Sequence, residues 1–184
     1  MILLQIFLLI LVTDLLTGTV HWWEDAYGNP DWKYLGKSIV IPNIEHHKNP
    51  RGFLKTSFLS RNGFNISIAF FIGLFAYIFV FKEITWQLIF FLIYGSLANE
   101  AHAISHRTKR ENGEFITLLQ KIGIIQSKKM HATHHTSPYD VNYCVLTDYL
   151  NPILNKIGFW HKMENTIAFF GINPKRGSEN RDGF

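Results

Sequence analysis

Three long apolar runs separated by polar stretches mark out the elements of this chain. Met1 to Val20 carries a single charge, Asp14. About 20 helical residues cross a hydrocarbon core of about 30 Å, so the pattern predicts a first membrane helix over about 2–20. There is no basic start and no small-residue cleavage site before His21-Trp22-Trp23, which argues against a signal peptide. A second run, Ile66 to Phe81, extends back through Asn65 and Phe64 to give a helix over about 64–81. The third, about 84–103, follows directly after Lys82-Glu83, so the two form an antiparallel hairpin.

The polar stretches are less regular. Residues 21–63 are punctuated by Asn29-Pro30, Ile41-Pro42 and Asn49-Pro50-Arg51-Gly52, which read as loops and short helices. Residues 114–125 carry an apolar stripe, Phe115, Leu118, Leu119 and Ile122, which fits either a helix on the membrane surface or ordinary core packing. Ser127 is a candidate N-cap for a helix running to His135, and Ser137-Pro138 ends it. Residues 139–172 suggest two short helices, and 173–184 a polar, mobile tail. The predicted fold class is all-α: one integral membrane domain over 1–172, with three transmembrane helices and a helical cap over 107–172.

Charge orients this arrangement. All of the 18 Lys and Arg except Lys82 lie in the 21–63 stretch or after residue 106. The positive-inside rule places both regions in the cytoplasm and the N-terminus outside. Trp22, Trp23 and Trp32 then read as interfacial anchors. The net charge of +4 needs no nucleic-acid partner to explain it. Cys144 is the single cysteine, so neither an intrachain disulfide nor a cysteine-built metal site can form.

The candidate chemistry lies in the nine histidines. His131, His134 and His135 are spaced i, i+3, i+4 and share a helix face. Alone they could be a His-rich polar surface or metal ligands. His102 and His106 are spaced i, i+4, and His46-His47 and His21 add three more. Topology places all of these on one side of the membrane. Eight imidazoles are too many for one tetrahedral zinc, and suit two ions with about four nitrogens each. Imidazole takes iron, zinc or copper. The Glu-x-x-His pairs of soluble di-iron bundles are absent, as is the His-Glu-x-x-His of zinc hydrolases. A membrane-buried carboxylate is a functional hypothesis in itself. Asp14 shares a face with Gly18 and His21, where it could bond a ligating histidine, pair with a cation, or stay wet near the interface.

These motifs together resemble the Kua/CarF family of lipid desaturases, which includes plasmanylethanolamine desaturase and the plant plastid enzyme that desaturates phosphatidylglycerol. The matching stretches are Asp14 to Trp22 with Asp25 and Gly28, Glu45-His46-His47-x-x-Pro50, His102-x-x-x-His106, His131-Ala-Thr-His134-His135-x-x-Pro138, Asn142-Tyr143-Cys144 and Asn151. The likeness covers about residues 10–176; relatives usually carry one more hydrophobic helix ahead of the one bearing Asp14. The resemblance implies that His21, His46, His47, His102, His106, His131, His134 and His135 are the metal ligands, with His161 outside the site. It implies that Asp14 and Asp25 orient ligands, and Glu45 and Asn99 are expected in the same supporting role. It also implies two iron ions, O2, and electrons from an external ferredoxin or cytochrome b5, acting on an acyl or alkyl-ether chain of a phospholipid. The site would face the cytoplasm. A hydroxylase on the same scaffold and a membrane metal-binding or transport protein are the rival readings. The second apolar run is nearly free of polar residues, which disfavours transport.

Overall fold

The computed structural model describes residues 1–175, and among them there is no β-strand. Helix α1 (Ile2–Tyr27) runs seven residues past its expected end. The continuation is held by packing: Trp22, Ala26 and Tyr27 enter a core with Tyr143, Cys144, Leu154 and Trp160. A wide turn over Gly36–Val40 leads into α2 (Ile41–Lys48). Helix α3 (Phe58–Ala76), prolonged by a widened turn over Tyr77–Phe81, begins well before residue 64. Its first turn is polar but satisfied. Ser57 caps it by accepting from Ser60 N at 3.2 Å, and Arg61 and Asn62 donate to Glu100 at 2.8 and 2.9 Å.

The third apolar run is not one straight helix. Thr85 caps α4 (Trp86–Ser96), and a 41° bend at Leu97 leads into α5 (Ala98–His106). Helices α1 and α3 both pack on α4. Helices α1 and Phe58–Phe81 are long and apolar enough to cross a membrane, with mean hydropathies of 2.1 and 2.2, and the bent pair α4–α5 makes a third if its two helices are counted as one span. Their outward Phe71, Phe75 and Phe79 are exposed, as lipid-facing positions are. The protein is an integral membrane protein of the all-α class.

Four helices follow. In α6 (Lys109–Lys121), Thr108 and Glu111 form a capping box, and Gly113 breaks the helix at φ 74°. Ser127 caps α7 (Lys128–His134), accepting from Met130 N at 3.1 Å. Helices α8 (Leu150–Lys156) and α9 (Phe159–Phe169) close the fold. Lys175 N donates to Ala26 O at 2.7 Å; the rest of the expected tail, 176–184, lies outside the described residues.

The irregular strap Tyr143–Tyr149 is laid along α1. Gly18 makes room for it: a Cβ there would stand 2.7 Å from Cys144 Sγ and 3.0 Å from Cys144 N. Asp14, fully buried, accepts from Leu146 N at 2.8 Å, Thr147 N at 3.1 Å and Thr147 Oγ1 at 2.7 Å. Asp14 therefore does not orient a histidine as expected. Its carboxylate anchors the strap, because two backbone N–H groups of an irregular segment need an acceptor away from water.

Candidate metal centre

Four helices converge to build the site. Helix α1 supplies His21 and Asp25, α2 supplies His46 and His47, α5 supplies His102 and His106, and α7 with its C-cap supplies His131, His134 and His135. The local reason is spacing. Each helix presents its donors at i, i+3 or i+4, and the bend at Leu97 reaims α5 relative to α4. The exception is the adjacent pair on α2. Its rings point about 100° apart, and they serve two different groups.

The first group is His46, His102, His106, His131 and His135. Their Nε2 atoms crowd together: His102 to His131 and His131 to His106 are 2.8 Å, His46 to His102 and His135 to His131 are 3.0 Å, and His106 to His46 and to His102 are 3.1 and 3.2 Å. Ring nitrogens facing one another in this number cannot all be paired by hydrogen bonds, since each neutral imidazole has one N–H. A metal ion resolves this. With metal–nitrogen bonds of about 2.0–2.1 Å, nitrogens at right angles on one ion stand about 2.9 Å apart, within the observed range.

The second group is His21, Asp25, His47 and His134. Asp25 Oδ1 lies 3.2 Å from His47 Nε2, and Oδ2 lies 3.5 Å from His134 Nε2 and 4.0 Å from His21 Nε2. His21 Nε2, His134 Nε2 and Asp25 Oδ2 are buried without a hydrogen bond. Three orphaned donor atoms around one point are what a second metal ion would satisfy. Two of the rings are fixed from behind. His134 Nδ1 donates to Val141 O at 2.9 Å and His21 Nδ1 to Tyr143 O at 3.2 Å, which leaves each Nε2 lone pair facing the site. Burial, then neighbouring imidazoles, push the pKa of His46 and His131 well below the ordinary histidine range; burial, then His21, does the same for His134. These rings are neutral at pH 7, the state that binds metal.

All eight expected histidines thus stand in the two groups. His161 does not: it is exposed, 3.6 Å from Asp140 and 3.5 Å from Glu164. Asp25 stands among the donors themselves and not behind them, and Asn43 Nδ2 donates to its Oδ1 at 2.6 Å. Its i, i+4 spacing from His21 was the available signal. Two supporting expectations need correction. Glu45 points outward and pairs with Lys48 at 3.8 Å, because i, i+3 geometry on α2 favours that partner over the buried face. Asn99 donates to Arg61 O at 2.6 Å, tying α5 to α3, and reaches no histidine. What sequence reasoning missed is the role of the carbonyls of Val141 and Tyr143; the Asn142-Tyr143-Cys144 motif was the only pointer to them.

A cavity of about 720 Å³ borders the first group and His21 of the second. His21, His46 and His102 form part of its wall, with Phe53, Leu59 and Phe64 as apolar lining and Lys37 and Arg61 as its basic residues.

A family model described as a lipid desaturase domain matches residues 10–177. The chain is 31% identical over 173 residues to a probable fatty acid desaturase of Acanthamoeba polyphaga mimivirus, covering 94% of this chain and 86% of that protein. It is 32% identical over 177 residues to plasmanylethanolamine desaturase 1 of Mus musculus, and 27% identical over 172 residues to plasmanylethanolamine desaturase of Myxococcus xanthus. Each of these matches covers 90% of this chain, but only 65% of the mouse protein and 60% of the bacterial one. No solved structure matches.

Proposed function

The chain belongs to the lipid desaturase domain family, and from that premise we propose that it introduces a carbon–carbon double bond into an acyl or alkyl-ether chain of a membrane phospholipid. The observation that carries this reading is two adjoining groups of nitrogen and carboxylate donors bordering a large cavity in a membrane protein. The reaction consumes one O2, two electrons, two protons and two substrate hydrogens, and yields the alkene and two waters. A pair of iron ions, when bound, supplies the O2 reduction and the removal of hydrogen from adjacent carbons.

The chain's own residues hold and shield. His46, His102, His106, His131 and His135 would ligate one ion, and His21, Asp25, His47 and His134 the other. The carbonyls of Val141 and Tyr143 keep His134 and His21 turned toward the metal, and Asn43 holds the Asp25 carboxylate in place. Phe53 packs against His46 and His102 at 4.8 and 5.1 Å between ring centroids, and with Leu59 and Phe64 gives the substrate chain an apolar wall. Excluding water there protects reactive species from side reactions. The site faces the cytoplasm in this proposal, and a separate ferredoxin or cytochrome b5 delivers electrons. The exposed Lys128 and Lys129 on α7 offer an acidic carrier a basic landing surface.

The test is expression with an electron donor, followed by lipid mass spectrometry and iron quantification, against a His134→Ala control. The expected product is lighter than its precursor by two hydrogens and depends on His134. A product heavier by one oxygen would favour hydroxylation. An unchanged lipidome from folded, iron-loaded protein would overturn the proposal.

A further inference from the structure

The region after α5 was expected to sit above the membrane as a cap, and α1 provides a scale against which to measure it. At 1.5 Å per residue, Asp14 lies about 10 Å and Phe7 about 21 Å down α1 from His21. The strap follows α1 over that distance. Tyr143 O meets His21, the backbone of Leu146 and Thr147 meets Asp14, and the Tyr149 ring meets Phe7 at 5.8 Å between centroids. If α1 crosses a hydrocarbon core of about 30 Å, the strap and everything attached to its far end lie within that core.

A second observation is independent of depth. Irregular backbone is tolerated at membrane depth only where the protein itself satisfies its polar groups. Cys144 N donates to Asn151 Oδ1, and Cys144 O accepts from Gln126 and Asn151. Leu146 O accepts from Gln126 N, and Asp148 N donates to Gly123 O. Gln126 O accepts from Gln120 and Ser105, and Ser127 N donates to Asp148. The outer side of the same unit is apolar: Phe115, Leu118, Ile122, Ile124, Ile153 and Ile157 are each 43–71% exposed. The two lysines adjoining this face in sequence, Lys121 and Lys156, have stems able to lift their charges toward headgroups.

We propose that the face formed by α6, the 122–125 turn and α8 is sunk in the bilayer beside α1, in contact with lipid acyl chains. It is a membrane-embedded layer that does not cross. This does not rest on the catalytic reading. The partner is lipid because the face continues the lipid-exposed surface of α1 at the depth of Phe7.

Spin labels test it in proteoliposomes of the full chain. Leu118→Cys and Ile153→Cys are labelled at exposed positions, with Phe71→Cys on α3 as the lipid reference and Lys48→Cys as the aqueous one. Buried Cys144 is the only native thiol, and labelled unsubstituted protein gives the background. The expected result is O2 accessibility at 118 and 153 like that at 71, and several-fold lower accessibility to a water-soluble nickel complex than at 48. Accessibility like that at 48 overturns the proposal. So does loss of both accessibilities with spin–spin broadening, which would mean that a second copy covers the face. Unsubstituted protein labelled with a lipid-soluble diazirine should carry adducts on peptides spanning 115–125 and 149–157; their absence, with adducts present on α3, also overturns it.

Discussion

Replacing Gly18 by alanine sets two opposed effects against each other, and the structure decides between them. In a helix interior, alanine is favoured over glycine by about 1 kcal/mol. At this position, however, the new Cβ would meet Cys144 Sγ at 2.7 Å and the Cys144 backbone N and Cα at 3.0 and 3.1 Å. The strap has little freedom to retreat. Asn151 bonds both the N and the O of Cys144, at 3.1 and 2.8 Å, and Asp14 holds the next turn of chain. Overpacking costs about 1–3 kcal/mol; against backbone atoms that cannot retreat it falls in the upper part of that range, about 2–3 kcal/mol, so after the alanine gain the net expectation is a loss of about 1–2 kcal/mol. At about 2–4 °C per kcal/mol, Tm in nanodiscs should fall by about 2–8 °C. A double-mutant cycle with Cys144→Ala sharpens the test. Removing Sγ relieves one of the three contacts, so the pair should couple favourably by about 0.5–1 kcal/mol without returning to the original stability. Metal content gives a second reading, because Tyr143 O orients His21 from the displaced segment. A Gly18→Ala protein that melts at or above the parent temperature would refute the steric argument.

Other substitutions follow from the same contacts. Asp14→Ala strands two backbone N–H groups and a hydroxyl, at about 1–3 kcal/mol each; it should cost at least 3 kcal/mol in nanodisc thermal melts, and Asp14→Asn distinctly less. Asp25→Asn should lower bound metal from two ions per chain toward one with the fold intact, whereas Glu45→Ala should leave metal content unchanged; equal effects in the two would contradict the assignment of donors. Acid should destabilise the metal-free protein. His46, His131 and His134 take protons less readily folded than unfolded. Their stability contribution is therefore complete above the unfolded value of about 6.5 and falls as pH drops below it. A Tm at pH 5 equal to that at pH 7.5 would count against neutral buried imidazoles.

The parts of this molecule that were legible in its sequence are those set by local periodicity. The apolar runs located the spanning helices, and helical spacing singled out His102, His106, His131, His134 and His135; His21, His46 and His47, now found in the same two groups, were added by the one-sided topology and the family resemblance. Where a long-range contact decides, periodicity fails. Helix α1 continues to Tyr27 because Trp22 and Tyr27 find Trp160 and Tyr143 more than a hundred residues away, and no local pattern announces that. Asp14 was recognised as unusual, but its partners, Leu146 and Thr147, carry no side-chain motif because they offer backbone N–H groups. Asp25 had a local signal, one helical turn from His21. In sequence alone it reads as a supporting group, because a carboxylate in that place serves either role until the neighbouring rings are located. Glu45 and Asn99 show the reverse: each lies near histidines along the chain, yet in space Glu45 pairs with Lys48 and Asn99 with the Arg61 carbonyl.

The carboxylate of Asp14 also sets an order of events during synthesis. Its partners lie 132 and 133 residues further along the chain, and at about 5–20 residues per second a ribosome needs roughly 7–26 s to reach them. For that interval α1 must enter the membrane with its acidic side chain unpaired, at a translocon cost of about 2.5–3.5 kcal/mol. The strongly apolar residues around it, at a mean hydropathy of 2.1, outweigh that cost. Helix α1 is therefore committed to the bilayer long before the segment that completes it exists, and if the strap is embedded as proposed, it must find Asp14 afterwards, within the membrane.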